Sequence, residues 1–141
     1  MNEQKPLNGK CLCGSVKIIA NKVNPELTAC HCSMCRQWGG GPYMEVSCKE
    51  VIIKDIKSVS VFNSSDWAER GFCKKCGTHL FYHIKESDEY QIQVGLFGSS
   101  INPKFKCQVF IDKKPAYYTF VEETQNLTEA QIFEMYAPKE K

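Results

Sequence analysis

Ala29-Cys30-His31-Cys32-Ser33-Met34-Cys35-Arg36-Gln37-Trp38-Gly39-Gly40-Gly41-Pro42-Tyr43 is the stretch on which the reading of this chain turns. It places Cys30, Cys32 and Cys35 within six residues. Cysteine is rare enough that C-x-C-x-x-C points to a purpose, and disulfide and metal are the two physical choices. A C-x-C pair makes a poor disulfide, because a bridge needs the two Cβ atoms close together. A metal ion at a turn can draw in several thiolates, with Zn–S bonds of about 2.3 Å and a tetrahedral shell. The glycines and Pro42 that follow punctuate a turn and let the backbone come close to whatever is bound. The stretch reads as a metal turn with three protein ligands.

Two further cysteine clusters flank it. Upstream lies Gly9-Lys10-Cys11-Leu12-Cys13-Gly14, a C-x-C turn bracketed by glycines. Downstream lies Gly71-Phe72-Cys73-Lys74-Lys75-Cys76-Gly77-Thr78-His79-Leu80-Phe81. Its C-x-x-C-G is a zinc-knuckle spacing, a turn that aims two thiolates at one ion. A closed structural zinc site takes four ligands, and a catalytic one keeps three and an open position. Cys11, Cys13, Cys73 and Cys76 therefore combine as one structural site, leaving Cys30, Cys32 and Cys35 as a second. Completing the central cluster with Cys73 or Cys76 would strand other cysteines. A second structural ion, completed by His31, His79, Cys48 or Cys107, is the competing assignment. Cys48 and Cys107 otherwise read as small buried residues.

Composition narrows the function classes. The chain has 141 residues, 43% apolar and 24% charged, with a net charge of +2. That length suits one domain with its own core. Basic residues are scattered, so no electrostatic footprint for nucleic acid or a membrane surface emerges. The N-terminus lacks the apolar core of a signal peptide, and no apolar run reaches the length of a membrane span. A cytoplasmic location is expected, where thiols stay reduced, and nine cysteines, an odd number, favour metal over bridges.

The pattern between the clusters is mainly that of short strands. Strands are expected at 15–20, 43–47, 51–54, 58–62, 80–84, 91–96, 107–111 and 117–121. Turns are expected at Asn24-Pro25 and Lys114-Pro115, and loops at 63–66 and 98–103. In the fourth of these strands Val59, Val61 and Phe62 are expected to face inward, and His79 and His83 to lie on a strand surface. Only the tail looks helical: Thr128-Glu129-Ala130-Gln131 is a capping box, with Ile132, Met135 and Tyr136 on one face. The fold class is a mainly β, small zinc-stapled β-sheet domain with a short C-terminal helix. Residues 1–8 are expected to form an N-terminal tail, 9–121 the domain, and 122–141 a helical tail packed on it.

These motifs resemble the glutathione-dependent formaldehyde-activating enzymes, grouped with centromere protein V. Gly9 to Val16 is similar to that family's G-x-C-x-C-G-x-V opening, Cys30 to Arg36 to its C-x-C-x-x-C-R segment, and Phe72 to Phe81 to its F-C-x-x-C-G-T-x-L-F segment. The resemblance implies a β fold like that of the Rab-exchange chaperones. It implies a structural zinc on Cys11, Cys13, Cys73 and Cys76 and a catalytic zinc on Cys30, Cys32 and Cys35, two Zn2+ per chain. It implies a carbon–sulfur lyase, like S-(hydroxymethyl)glutathione synthase, whose partners are a glutathione-like thiol and an aldehyde. The chain departs from the common family pattern at Gln108, where a histidine is usual, and at Ala116-Tyr117, where Pro-Trp is usual.

The chemistry of the central cluster agrees with that implication. Three thiolates leave a Zn2+ site at net −1, a poor generator of hydroxide but suited to a ligand that arrives as a thiol. For a thiol with an ordinary pKa near 8.5, ionisation at neutral pH gains about tenfold to a hundredfold in thiolate. Two other classes compete: a zinc-stabilised binding module without catalysis, and a zinc- or thiol-stress responder whose cluster loses metal on oxidation.

Overall fold

The computed structural model describes residues 5–136. Residues 1–4 and 137–141 of the two expected tails, and the side chain of Tyr136, lie outside the described residues. The chain packs as two compact units, Met1–Pro25 with Val46–Asn102, and Glu26–Glu45 with Pro103–Lys141. The architecture is mainly β with a C-terminal helix.

The first unit holds β1 (Leu7–Lys10), the opening of β2 (Lys17–Cys30), the end of β3 (Tyr43–Lys54), β4 (Val59–Phe62), β5 (Ala68–Cys73), β6 (His79–Ile84) and β7 (Glu89–Gln93). Its strand order is β4-β5-β6-β7-β3-β2, with β1 antiparallel on β2. Period-2 alternation builds the core: Ile18 and Ala20 of β2 are fully buried while their neighbours are not. Val46, Ala68, Leu80 and Ile92 are buried with them. Gly71 of β5 pairs with Phe81 of β6, and the register shifts between Gly71 and Phe72. The phenyl ring covers the bare glycine backbone, and Tyr90 meets that ring edge-on at 5.0 Å.

The second unit holds the end of β2, α1 (Ser33–Gly39), the start of β3, β8 (Lys104–Val109), β9 (Gln125–Leu127) and α2 (Glu129–Tyr136). β8 runs parallel to both β2 and β9. The capping box opens α2 as its sequence predicts. The backbone N–H of Thr128 donates to Gln131 Oε1 at 2.8 Å, and that of Gln131 to Thr128 Oγ1 at 3.3 Å. Ile132 is buried, whereas Met135 on the expected face is exposed.

Several local expectations give way. β2 runs straight through Asn24-Pro25, where a turn was expected. Pro25 falls between the stretch paired with β1 (17–20) and the stretch paired with β8 (26–30), outside both of those ladders. The two strands expected at 43–47 and 51–54 are one, β3, whose Glu50 takes a left-handed φ of 53°. Strand β7 ends at Gln93 and a 3-10 segment follows from Val94 to Ser100. Val61 and Phe62 of the edge strand β4 are exposed, and Val59 alone of the three faces inward. No strand forms at 117–121. Lys114 Nζ instead donates to the carbonyls of Pro115 and Tyr118, pinning an irregular turn.

Candidate metal centres

Two hairpins of the first unit build the four-cysteine cluster. The turn between β1 and β2 closes with the N–H of Cys11 on the carbonyl of Val16 at 3.1 Å and that of Gly14 on the carbonyl of Cys11 at 3.0 Å. The turn between β5 and β6 repeats the device: Cys73 N–H on Thr78 carbonyl at 2.9 Å, Gly77 N–H on Cys73 carbonyl at 2.8 Å. Gly14 and Gly77 have φ of 81° and 79°, a left-handed geometry that explains the glycine after each cysteine pair. The N–H of Leu12 donates to Thr78 Oγ1 at 3.1 Å, tying one turn to the other.

The four sulfurs lie within 4.8 Å of one another. Cys11 and Cys13 are 3.6 Å apart, Cys13 and Cys73 3.8 Å. A tetrahedral ion with bonds of about 2.3 Å requires sulfur–sulfur edges of about 3.8 Å, so the cluster fits such an ion. The N–H of Val16 donates to Cys11 Sγ at 3.3 Å. The hydroxyl of Thr78, 3.1 Å from Cys76 Sγ, holds that thiol down at about 5, and Ser15 lowers the Cys13 thiol in the same way. These contacts favour the ionised sulfur that binds metal.

The three-cysteine cluster belongs to the second unit, and its spacing has a local cause. Cys30 ends β2, paired with Val109 of β8. Cys32 is the N-cap of α1, where its sulfur accepts the N–H of Cys35 at 3.3 Å and its carbonyl the N–H of Arg36 at 3.0 Å. C-x-x-C is thus an N-cap and the third residue of a helix, which side chains must face. The helix, where sequence predicted only a turn, stops at Gly40 with φ 86°. The three sulfurs lie within 4.8 Å of one another, Cys30 and Cys35 buried and Cys32 partly open. The neighbouring Cys32 and Cys35 thiols, and then burial, push the Cys30 thiol well above its ordinary range. Three thiolates this close need a cation among them.

No fourth histidine, cysteine or carboxylate joins this cluster among the described residues. His31 sits between two of its cysteines in sequence and is completely buried, yet both ring nitrogens are engaged. Nδ1 lies 2.7 Å from the Tyr118 hydroxyl and Nε2 2.8 Å from Gln108 Oε1. The ring stacks on Tyr118 at 5.4 Å, and burial holds the imidazole below its ordinary pKa. Arg36 Nε donates to the His31 carbonyl at 3.0 Å. His79 lies in the first unit, and Cys48 and Cys107 join neither cluster. Cys48 is buried, as expected, and Cys107 is only partly so. His83, on the same strand as His79, is held between Glu69 at 2.9 Å and Asp88 at 2.7 Å. Sequence alone did not single out Tyr118 and gave Thr78 only as a motif position, and nothing local in the chain announces that His31 meets residues 77 and 87 positions away.

A small, mainly β protein carrying two thiol clusters of metal-binding geometry is the class that fold and sites define. The family description "Glutathione-dependent formaldehyde-activating enzyme" matches residues 6–113, and the chain belongs to that family. It is 36% identical over 126 residues to an "uncharacterized lyase" of Schizosaccharomyces pombe, covering 88% of this chain and 92% of that one. Its fold is similar to the crystal structure of a Rhodobacter sphaeroides protein, with a TM-score of 0.57 at 23% identity, covering 69% of this chain and 92% of the other. None of the helices among the described residues is long and apolar enough to cross a membrane.

Proposed function

We propose that the protein is a zinc-dependent carbon–sulfur lyase that makes and breaks adducts between a glutathione-like thiol and an aldehyde. Cys11, Cys13, Cys73 and Cys76 would hold a structural Zn2+, and Cys30, Cys32 and Cys35 a catalytic one. The observation that carries this reading is the second cluster: three converging sulfurs, one of them partly open, with His31 tied up elsewhere. When bound there, zinc supplies a soft Lewis acid that lowers the pKa of an incoming thiol. The chain's own groups supply the rest. The N-cap geometry holds Cys32 and Cys35 at fixed separation, and the β2–β8 ladder fixes Cys30. Thiol addition to a carbonyl forms the C–S bond as the C=O π bond becomes a hydroxyl, and breakdown reverses it. Orientation of the two reactants is where a protein site gains most over solution. The family membership and the lyase relative support the reaction class. A cytoplasmic location, where glutathione is abundant and thiols stay reduced, goes with this reading.

Two-dimensional exchange NMR on glutathione and formaldehyde, with and without the zinc-loaded protein, tests it. Acceleration of adduct exchange, lost in Cys32→Ser with one zinc retained, is the expected result. Absence of any thiol binding in a titration of the zinc-loaded protein refutes the enzyme reading and leaves a binding module.

A further inference from the structure

Tyr118 stands at one end of a directional chain of hydrogen bonds, and the direction can be read from the donors. Thr124 Oγ1 donates to Asn126 Oδ1 at 2.7 Å, so its hydroxyl proton is spent. It accepts from Gln108 Nε2 at 2.9 Å, which turns the amide oxygen of Gln108 toward His31. An amide oxygen only accepts, so the proton of His31 sits on Nε2, at 2.8 Å. Nδ1 is then bare and accepts the phenolic proton of Tyr118 at 2.7 Å. His31 and Gln108 are buried, and Tyr118 is half-exposed. The phenolic oxygen is left with lone pairs and no free proton. His31 lies between Cys30 and Cys32 in the chain, so the Tyr118 hydroxyl, 2.7 Å from its Nδ1, is one imidazole's reach from the backbone that carries two of the three sulfurs. Arg36, Cys30 and Cys35 lie within electrostatic reach of Tyr118.

We propose that Tyr118 contacts the ligand of the three-cysteine site, offering its phenolic oxygen as an acceptor for a ligand hydroxyl, with His31, Gln108 and Thr124 as its positioning residues. This rests on the lyase reading above and adds a selectivity to it. A hydroxyl, as in a hemithioacetal or an aldehyde hydrate, has a proton to give this oxygen. A bare carbonyl oxygen has none, and two facing acceptors repel. The site therefore prefers the hydroxylated species to the free carbonyl.

Long-range 1H–15N spectra of the zinc-loaded protein are expected to show His31 protonated at Nε2 and bare at Nδ1; the opposite tautomer overturns the assigned polarity. With 13C-labelled tyrosine, the resonance lost in Tyr118→Phe should shift on adding S-hydroxymethylglutathione, formed by mixing glutathione with formaldehyde. It should stay in place with the isosteric S-ethylglutathione. An equal shift with both, or with neither, overturns the contact. Tyr118→Phe should keep its zinc, melt a few degrees lower because buried His31 Nδ1 loses its donor, and slow adduct exchange by about tenfold, the loss of one hydrogen bond; where the wild type accelerates exchange, an unchanged rate in this variant also overturns the proposal. Gln108→Leu should disturb the His31 tautomer and Gln108→Glu, which keeps an acceptor, should restore it. A wild-type protein that shifts at Tyr118 yet leaves exchange unaccelerated would refute the lyase reading and leave this inference standing.

Discussion

Gly71→Ala should destabilise the first unit through one contact. A Cβ built at Gly71 would lie 2.3, 2.5 and 2.7 Å from three carbons of the Phe81 ring, against 3.4 Å or more for ordinary contact. The nearest ring carbon must retreat by about 1.1 Å, the difference between 3.4 and 2.3 Å. Phe81 is 3% exposed and meets Tyr90 at 5.0 Å, while His83 stacks on that same tyrosine at 4.2 Å. The ring cannot swing freely, so the strain passes into β5 and β6, whose connecting turn carries Cys73 and Cys76. Overpacking of this kind costs about 1–3 kcal/mol. For a protein of this length that is a fall in Tm of roughly 3–12 °C. Circular dichroism melts of the zinc-loaded protein measure it. Gly41→Ala is the control, because its Cβ would meet nothing within 4 Å at an ordinary φ. If Gly71→Ala melts within a degree of wild type, Phe81 is not fixed as described and the argument fails.

Cys73→Ser, which removes a ligand joining two hairpins, should abolish or badly weaken folding, whereas Cys35→Ser should stay folded with one zinc; equal losses of Tm would contradict the division of ligands. The Thr78 hydroxyl keeps the Cys76 thiol at about 5, below its unfolded value near 9, so the folded state binds fewer protons between those limits. Its contribution is fully present above pH 9 and is lost as pH falls through 5. Thr78→Val should therefore move zinc release, followed with a chromogenic chelator, to higher pH; an unmoved release curve refutes the assignment. Burial pushes the Cys48 thiol up to about 12, so iodoacetamide should spare it in the folded protein and modify it once urea unfolds the chain. Alkylation of Cys48 under native conditions at the rate of a free thiol would show that it is not enclosed.

The cysteine turns were legible because their chemistry is local. Gly14 and Gly77 follow their cysteines by steric necessity, and the capping box at Thr128 is likewise a four-residue statement. Helix α1 was missed although C-x-x-C is also the spacing from N-cap to third helical residue. A seven-residue helix that ends on the first of three glycines offers no apolar periodicity to detect. Pro25 reads as a turn in isolation, but it lies where β2 passes from its pairing with β1 to its pairing with β8. The Tyr118–His31–Gln108 chain was out of reach for a different reason. Residues 31, 108 and 118 are brought together by β2–β8 pairing and by the Lys114 turn, and no spacing rule spans such distances. Gln108 stood out only as a departure from a family pattern, and the structure gives it a buried role.

The assembly of the four-cysteine cluster from two hairpins has a consequence for biosynthesis. Sixty residues separate Cys13 from Cys73. At about 5–20 residues per second on the ribosome, the first pair of thiols waits roughly 3–12 s for the second to be made. The three-cysteine cluster, by contrast, emerges whole within a fraction of that interval. A nascent chain therefore offers a complete three-thiol trap, and a lone C-x-C half-site upstream of it, before the proper partner of that half-site exists. The order of synthesis exposes the chain to zinc captured by the wrong set of sulfurs. The glycine-locked turns, each closed by its own backbone hydrogen bonds, limit that error by shaping every half-site before its other half arrives.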